Sequence, residues 1–240
     1  MHNLTQKAPI RSVRPRNACF QLVMSKKKER VVIVDDLPLF RERLAELINQ
    51  ELDMEICGEA EDAQQAIELI RNTSPDLAIV DITLTGCSGL ELIKSIKAFS
   101  IDVPVLALSM HDELLYAERA LHAGATGYIA KHESADNLLL AIRRVLAGEV
   151  YLSEPMTSAF LKSLTVRGKS MPLPLDRLTD RELEILELIG HGHTTREIAA
   201  TLKLGVSTVD THRARIKEKM NFRTATELQH FAIRWVRERE

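Results

Sequence analysis

Cysteine is scarce in this sequence, and long apolar runs are missing. The three cysteines are scattered over 240 residues and odd in number, which excludes a disulfide framework and points to a reducing compartment. No apolar run approaches the roughly 18 residues that a membrane-spanning helix needs. We therefore expect a cytoplasmic protein with no membrane partner. The remaining composition, 45% hydrophobic and 28% charged, is that of a folded globular protein.

Net charge is also nearly absent, at -2, and taken alone this value argues against a nucleic-acid partner. The charges are unevenly distributed, however. Residues 1–28 carry seven basic side chains and no acid, residues 29–151 carry 10 basic and 22 acidic ones, and residues 178–240 carry 11 and 10. An acidic block thus lies between a basic arm and a balanced C-terminal block, so the average excludes little about partners.

The basic arm, residues 1–28, has no clear periodicity and lacks the apolar core of a secretory signal. Met24 precedes Ser-Lys-Lys-Lys and then the first predicted strand. Three interpretations stay open: translation that begins at Met24, a flexible basic extension, and a targeting segment.

From Val31 onward, apolar runs alternate with helical patterns. Runs typical of buried strands occur at residues 31–34, 54–57, 77–80, 103–108 and 127–129, and a helical pattern follows each one. Five such units in about 120 residues predict a doubly wound, five-stranded parallel sheet over residues 29–150. Functional sites in these sheets lie outside the C-terminal ends of the strands.

Residues 151–175 lose this alternation. The run Met171-Pro-Leu-Pro-Leu disfavours a helix, so we predict a linker here, with one helical turn before its polar and proline-containing part. Residues 176–240 predict a small all-α domain of four helices. The turn Lys203-Leu-Gly-Val has the length of a helix-turn-helix connection. Each helix is preceded by a capping signature, and the four signatures are Thr179 with Glu182, Thr194 with Glu197, Ser207 with Asp210, and Thr224 with Glu227.

Acidic side chains follow two of the predicted strands. Asp35 and Asp36 end the first strand and Asp81 ends the third, and these strands are neighbours in a doubly wound sheet. Three converging carboxylates repel one another unless a cation lies among them, and all-oxygen ligation suits Mg²⁺. Ser109 ends the fourth predicted strand, and Lys131 follows the fifth. A carboxylate beside Mg²⁺ with a hydroxyl and an ammonium nearby is typical of a phosphoryl acceptor.

With these residues the sequence resembles the receiver domain of bacterial response regulators, over about residues 29–150. The resemblance is carried by Asp35-Asp36, Asp81, Ser109 and the run Tyr128-Ile-Ala-Lys131. It implies a flavodoxin-like fold and a sensor histidine kinase that donates a phosphoryl group to Asp81. The further implied roles are Mg²⁺ ligation by Asp35, Asp36, Asp81 and the backbone carbonyl of Thr83, phosphoryl contact by Lys131, and a switch pair formed by Ser109 and Tyr128.

The resemblance also implies how a signal would leave the site. A phosphoryl group would attract the Ser109 hydroxyl, and Tyr128 would then turn inward and bias the face of the fourth helix, fifth strand and fifth helix. Thr85 stands where the family usually has Pro. We expect this departure to make the loop less rigid and to alter the dephosphorylation rate.

The C-terminal block resembles the LuxR-type DNA-binding domain, over about residues 175–240. The matching runs are Leu178-Thr-Asp-Arg-Glu-Leu-Glu-Ile-Leu and Ser207-Thr-Val-Asp-Thr-His-Arg. Together the two resemblances are those of a NarL/FixJ-type response regulator. They imply double-stranded DNA as a partner and a homodimer in the phosphorylated or DNA-bound state, with RNA polymerase as a candidate further partner.

In the helix after Ser207, Val209, Ile216 and Met220 share one stripe, which predicts a core face. The opposite face is the one that a recognition helix offers to the major groove. Asp210 stands where many relatives have Lys, and it could accept a hydrogen bond from cytosine or serve as the helix-start acid opposite Ser207. The predicted DNA contacts are Thr195, Ser207, Thr208, Asp210, Thr211, Arg213, Ala214, Arg215, Lys217 and Lys219.

The last predicted helix carries an apolar stripe that includes Trp235. Trp235 lies near a chain end, where burial inside so small a domain is difficult. Pairing of this helix with its copy in a dimer and packing within the domain therefore both stay open. The pair His191-Gly-His193 lies in a turn with no cysteine or acid at ligand spacing, so we expect a structural role and no metal.

The sequence thus predicts a transcription regulator in which phosphorylation of Asp81 controls dimerisation and DNA binding, with no enzymatic activity beyond the chemistry at Asp81. One alternative is a Mg²⁺-dependent phosphatase with an aspartyl nucleophile, but such enzymes need a second Asp where Thr83 stands. A second alternative is a DNA-binding or docking protein that does not depend on phosphorylation.

Overall fold

Five apolar runs form the strands of one parallel sheet, β1 (Glu29–Val34), β2 (Met54–Ala60), β3 (Leu77–Asp81), β4 (Val105–Ser109) and β5 (Gly127–Ala130). The computed structural model describes residues 27–84, 86–99, 101–110, 113–158, 161 and 174–237. Most of the basic arm, with Met24, and the departure at Thr85 lie outside the described residues. The strand order is β2-β1-β3-β4-β5, which confirms the doubly wound sheet and makes β1 and β3 neighbours.

Helices cover both faces of this sheet, which is why β3, β4 and β5 are buried along their whole length. The sequence starts three of these helices with side-chain caps, from Asp62, Ser88 and Ser134, and starts the first with a proline. The helices are α1 (Pro38–Asn49), α2 (Ala63–Thr73), α3 (Gly89–Ala98), α4 (Glu113–Ala123) and α5 (Ala135–Leu146).

The predicted linker begins against the receiver-like domain. The backbone N–H of Tyr128 donates to the carbonyl of Tyr151 at 2.9 Å, and the Ser153 hydroxyl donates to Glu113 at 2.6 Å. Residues 154–158 form the expected helical turn, and a 3₁₀ turn at Pro174–Arg177 leads into the C-terminal helices. Most of the Pro-rich run before that turn lies outside the described residues.

Four helices follow, α6 (Asp180–Gly190), α7 (Thr195–Thr201), α8 (Val206–Lys219) and α9 (Ala225–Arg237). The capping boxes predicted at Thr179 and Thr194 are present, each with reciprocal hydrogen bonds to a glutamate three residues later. Within the described residues, no helix has both the length and the apolar character needed to cross a lipid bilayer.

Of the other two capping predictions, the one at Ser207 was wrong and the one at Thr224 was wrong in part. Gly205, not Ser207, precedes α8, and no side chain caps this helix. The chain leaves the left-handed conformation of Lys203 and is already extended at Gly205, so α8 begins two residues earlier than a Ser207 cap requires. Asp210 is therefore not a capping acid. Thr224 does accept the N–H of Glu227, but the Glu227 carboxylate accepts from the N–H of Arg223.

Gly89 sets the approach of α3 to the acidic end of β3. A Cβ at this position would stand 1.9 Å from the backbone carbonyl oxygen of Asp81, so the Gly89→Ala variant must move backbone. We expect a loss of about 3 kcal/mol in the free energy of unfolding, at the upper end of overpacking costs. At Gly58 the added Cβ would meet the flexible end of Leu69, so Gly58→Ala should lose only about 1 kcal/mol. Equal urea midpoints for the two variants would contradict this account.

Candidate functional site

Three carboxylates converge where β1 and β3 end, as the sequence predicts. One carboxylate oxygen of each of Asp35, Asp36 and Asp81 lies within 4.8 Å of the others. In the described part of the chain this is the one group of three or more acidic, histidine or cysteine side chains close enough to share an ion. Asp35 and Asp81 are almost fully buried. Backbone N–H groups orient both, since Leu37 donates to Asp35 at 2.9 Å and Thr83 donates to Asp81 at 3.0 Å.

Lys131 supplies the counter-charge at this end of the sheet. Its Nζ lies 2.6 Å from Asp35 Oδ2 and 2.8 Å from Asp81 Oδ2, and its side chain is 2% exposed. Burial alone would lower the pKa of Lys131, but the two carboxylates raise it. Burial raises the pKa of Asp81 to about 7, with Lys131 opposing the shift and Asp35 adding to it. One ammonium among three carboxylates leaves the cluster negative, which suits a divalent cation.

The predicted switch residues lie next to the cluster on neighbouring strands. Ser109 is the last residue of β4 and is fully buried, and its carbonyl accepts the backbone N–H of Lys131 at 2.7 Å. Tyr128 lies in β5, and its side chain is completely buried in this structure. The ring is thus buried here without a phosphoryl group on Asp81, so its burial alone does not mark a switch between two states.

The face of α8 predicted to enter DNA is open to solvent. Val209 and Ile216 are buried against the domain core, while Met220 is half-buried at the end of the helix. Thr195, which begins α7, and the basic Arg213 and Lys217 are partly exposed. The exposed members of the predicted contact set are Ser207, Thr208, Asp210, Thr211, Ala214 and Arg215.

Lys219 differs from the other predicted contacts because its ammonium is bound inside the domain. Its Nζ lies 2.6 Å from Oε2 of Glu182, whose side chain is 1% exposed. The same carboxylate accepts the backbone N–H of Thr179 in the capping box. The sequence gives no signal for this pair, because 37 positions separate its members and the charge of Lys219 matches that of its basic neighbours.

Trp235 packs within its own domain. Only 9% of this residue is exposed, and Val236 beside it is also buried, so the expected difficulty of burying Trp235 was wrong. Contacts between α6 and α9 explain the burial, because Gly190 lets the two helices approach until a Cβ there would meet the Ala232 carbonyl at 2.6 Å. The outer side of α9 carries His230, Arg234 and Arg237 around a shallow cleft.

A set of polar contacts that sequence analysis missed joins the two domains. Asp180, the first residue of α6, accepts from Lys94 Nζ at 2.7 Å and from Arg119 Nη1 at 3.0 Å. Arg119 of α4 also donates to the backbone carbonyls of Leu178 and Leu175, at 3.0 and 2.9 Å. These contacts connect residues that lie about 60 or more positions apart in the sequence, so local sequence patterns do not predict them.

A second group of contacts reaches the loop behind Asp81. Arg181 is buried, pairs with Glu184 at 2.7 Å and donates to the backbone carbonyl of Leu84 at 3.5 Å. Lys203, in the turn between α7 and α8, lies 3.9 Å from the Asp36 carboxylate. The helix-turn-helix domain therefore contacts the receiver-like domain at the same end of the sheet as the acidic cluster.

Comparisons with known proteins agree with this architecture. The response regulator receiver domain family matches residues 31–143, and the luxR family of bacterial regulatory proteins matches residues 176–232. The chain is 36% identical to the uncharacterized transcriptional regulatory protein YxjL of Bacillus subtilis (strain 168), covering 88% of this chain and 98% of the relative. It is 33% identical to the nitrate/nitrite response regulator protein NarL of Escherichia coli (strain K12), covering 82% and 91%.

Solved structures show the same likeness. A LuxR-family two-component response regulator from Aurantimonas sp. is 32% identical with a TM-score of 0.55, over 58% of this chain and 99% of that one. The RcsB response regulator of Salmonella typhimurium, at 21% identity, shares the fold with a TM-score of 0.60 over 86% and 97% of the two chains.

Fold and site together define a regulator that couples a receiver-type acidic cluster to a helix-turn-helix domain. The chain belongs to the NarL-type response regulators of two-component systems, which join a receiver domain to a LuxR-type DNA-binding domain.

The Lys219–Glu182 pair makes the stability of the DNA-binding domain depend on pH. Burial alone would raise the pKa of Glu182, but hydrogen bonds from Lys219 and Thr179 lower it below its ordinary value of 4.5. The stabilisation is therefore present above pH 4.5 and is lost as the pH falls through the lowered pKa of the folded state. At pH 7 we expect Lys219→Met to lose about 2 kcal/mol of unfolding free energy, because a buried carboxylate loses its charged partner.

Fluorescence of Trp235, the one tryptophan of the chain, follows this unfolding in urea. The difference between wild type and Lys219→Met should shrink below pH 4.5. Lys217→Met removes the same charge two positions away and serves as the control, with little expected change. A difference that stays constant from pH 7 to pH 3 would contradict the assignment.

Proposed function

We propose that Asp81 accepts a phosphoryl group from the phosphohistidine of a sensor kinase in the cytoplasm, and that this modification controls DNA binding by the C-terminal domain. The observation that carries the proposal is the buried arrangement of Asp81, Asp35 and Lys131 at the ends of β1, β3 and β5. The Asp81 carboxylate would attack phosphorus as the P–N bond of phosphohistidine breaks, and the electron pair would return to the imidazole nitrogen.

The residues around Asp81 fit each part of this transfer. Its oxygens are fixed by the Thr83 N–H and by Lys131, so the carboxylate is oriented before a donor arrives. Lys131 is placed to accept the charge of the incoming phosphoryl oxygens. Asp35, Asp36, Asp81 and the Thr83 carbonyl would hold Mg²⁺, which when bound neutralises charge on the transferring group.

Two alternatives from the sequence are less well supported. A phosphatase needs a general acid where this chain has Thr83, and the Thr83 backbone N–H here only orients Asp81. A regulator independent of phosphorylation would have no use for a buried carboxylate pair neutralised by a buried lysine, which is costly to maintain in a folded protein. The experiment at Asp81 described below includes an outcome that would favour the phosphatase.

The interdomain contacts suggest how the site would control DNA binding. Ser109 ends β4, and α4, which follows within a few residues, carries Tyr116 and Arg119. Tyr116 donates to Glu187 at 3.0 Å and Arg119 binds Asp180, so movement of α4 would act directly on α6. Phosphorylation would weaken this contact and free the DNA-binding domain.

The freed domain would bind DNA through the exposed face of α8, with its phosphate contacts made by Arg213, Arg215 and Lys217. A dimer would bind two half-sites about one helical turn, roughly 10 base pairs, apart. Trp235 is buried within the domain and is therefore not available for pairing with a second copy. The candidate dimer surface on this helix is instead its exposed outer side, which carries His230, Arg234 and Arg237. RNA polymerase would then be a partner of the DNA-bound dimer.

Replacement of Asp81 by asparagine tests the acceptor directly. Asp81→Asn should take no label from a radiolabelled phosphorylated histidine kinase in Mg²⁺, because the amide is not a nucleophile for this reaction. Asp62→Asn is the matched control, since asparagine caps α2 as well as aspartate does, and it should be labelled normally. Unchanged labelling of Asp81→Asn would refute the assignment, while continuous phosphate release with excess small phosphomonoester would favour the phosphatase.

Loosening the interdomain contact should imitate phosphorylation. Arg119→Gln removes the guanidinium group that binds the Asp180 carboxylate and the backbone carbonyls of Leu175 and Leu178. We expect the unphosphorylated variant to bind a mixed-sequence 30-base-pair duplex about three- to tenfold more tightly, because the open state is more populated. This direction is opposite to the simple effect of losing a positive charge.

Arg43→Gln removes the same charge from an exposed position on α1 and should not tighten binding in the same gel-shift titration. Equal affinities of Arg119→Gln and wild type would contradict control through the contact between α4 and α6.

A further inference from the structure

Lys131 has a third neighbour besides its two carboxylates. The ring of Phe40 lies with its centroid 4.6 Å from Lys131 Nζ, which is within the range of a cation–π contact. The ammonium is thus held by Asp35 at 2.6 Å, by Asp81 at 2.8 Å and by an aromatic face. The side chain of Lys131 is 2% exposed, so all three contacts act where water screens little.

The local sequence explains why a ring lies there. Only Leu37 separates the acidic pair from Pro38, which starts α1, and this places Phe40, in the first turn, near the end of β1. Phe40 is half-buried and packs against the apolar cluster on the α1 and α5 side of the sheet. No acid lies in the first turn of α1, so the surface that α1 offers to Lys131 is the aromatic face.

We propose that Phe40 is a positioning residue for phosphoryl transfer, acting through Lys131. The inference rests on the proposed function of Asp81. Both carboxylate partners of Lys131 have a second task in that function, since Asp35 would ligate the cation and Asp81 would carry the phosphoryl group. As these carboxylates are engaged, their hold on the ammonium weakens. The Phe40 ring takes part in neither cation binding nor phosphoryl transfer, so its contact with the ammonium persists. The ring therefore keeps Lys131 Nζ at the pocket, where it can contact the phosphoryl oxygens.

A purely structural role would depend on the volume of the Phe40 side chain and not on its π electrons. Fluorination separates the two, because fluorine atoms withdraw electron density from the ring face with little change in shape. The chain would carry 4-fluoro-, 3,5-difluoro- and 3,4,5-trifluorophenylalanine at position 40, each introduced site-specifically.

The first measurement is the phosphorylation rate of these chains by acetyl phosphate in Mg²⁺. The rate should fall stepwise with each added fluorine, and for Phe40→Leu it should fall about fivefold to thirtyfold, which corresponds to about 1–2 kcal/mol for a desolvated cation–π contact. Phe40→Tyr, which keeps the π face, should restore most of the rate. Equal rates for phenylalanine and trifluorophenylalanine would overturn the positioning role.

The second measurement reports on the contact without phosphorylation. Urea unfolding of the metal-free full-length chain gives a double-mutant cycle between trifluorophenylalanine at position 40 and Lys131→Met. A favourable coupling between the two sites supports the contact, and zero coupling overturns it. If the wild-type chain accepts no phosphoryl group, the proposed function and the positioning role both fail, while the cycle still decides whether the contact exists.

Leu47→Ala is the control for general destabilisation. Leu47 also lies on α1 and packs against the same apolar cluster, two turns further along the helix. The variant should lower the free energy of unfolding and leave the phosphorylation rate unchanged. A rate loss in Leu47→Ala as large as that in Phe40→Leu would mean that α1 stability sets the rate, and the proposal would be wrong.

Discussion

The receiver domain depends on the neutralisation of buried carboxylates by Lys131. Asp35 and Asp81 are almost completely buried, and isolated carboxylates at such positions would carry a large desolvation cost. Lys131 bridges both at hydrogen-bond distance. The sheet order makes this bridge available, because β1 and β3 are neighbours and β5 returns the lysine to the same end of the sheet. The strand order that defines the fold is therefore also what places Lys131 between the two buried carboxylates.

The same end of the sheet also contacts the DNA-binding domain. Arg181 reaches the loop after Asp81, and Arg119 binds the start of α6. A charge added at Asp81 would therefore act on groups within one or two contacts of the helix-turn-helix domain, and no long pathway through the protein is needed. The exposed face of α8 is not itself covered by these contacts, so control would operate by holding the domain and not by covering its base-contacting residues.

Sequence analysis predicted the sheet, the acidic cluster and the helix-turn-helix because each depends on local signals. Apolar runs mark strands, and Asp35, Asp81 and Lys131 follow from strand ends. What it missed was set by long-range packing. The pairs Lys219–Glu182 and Arg119–Asp180 join residues far apart in sequence, and Phe40 resembles any core residue of an amphipathic helix. The Ser207 cap was wrong because the helix begins at Val206, directly after the extended Gly205, which places Ser207 inside its first turn.

The central claim is that the phosphoryl group resides on the Asp81 carboxylate. Borohydride reduces an acyl phosphate to an alcohol, so phosphorylated chain treated with borohydride and digested should yield homoserine at position 81 by mass spectrometry. The account predicts homoserine at this position alone, in an amount that follows the extent of phosphorylation. Homoserine at Asp35 or Asp36, or phosphorylated chain with an unreduced Asp81, would contradict it.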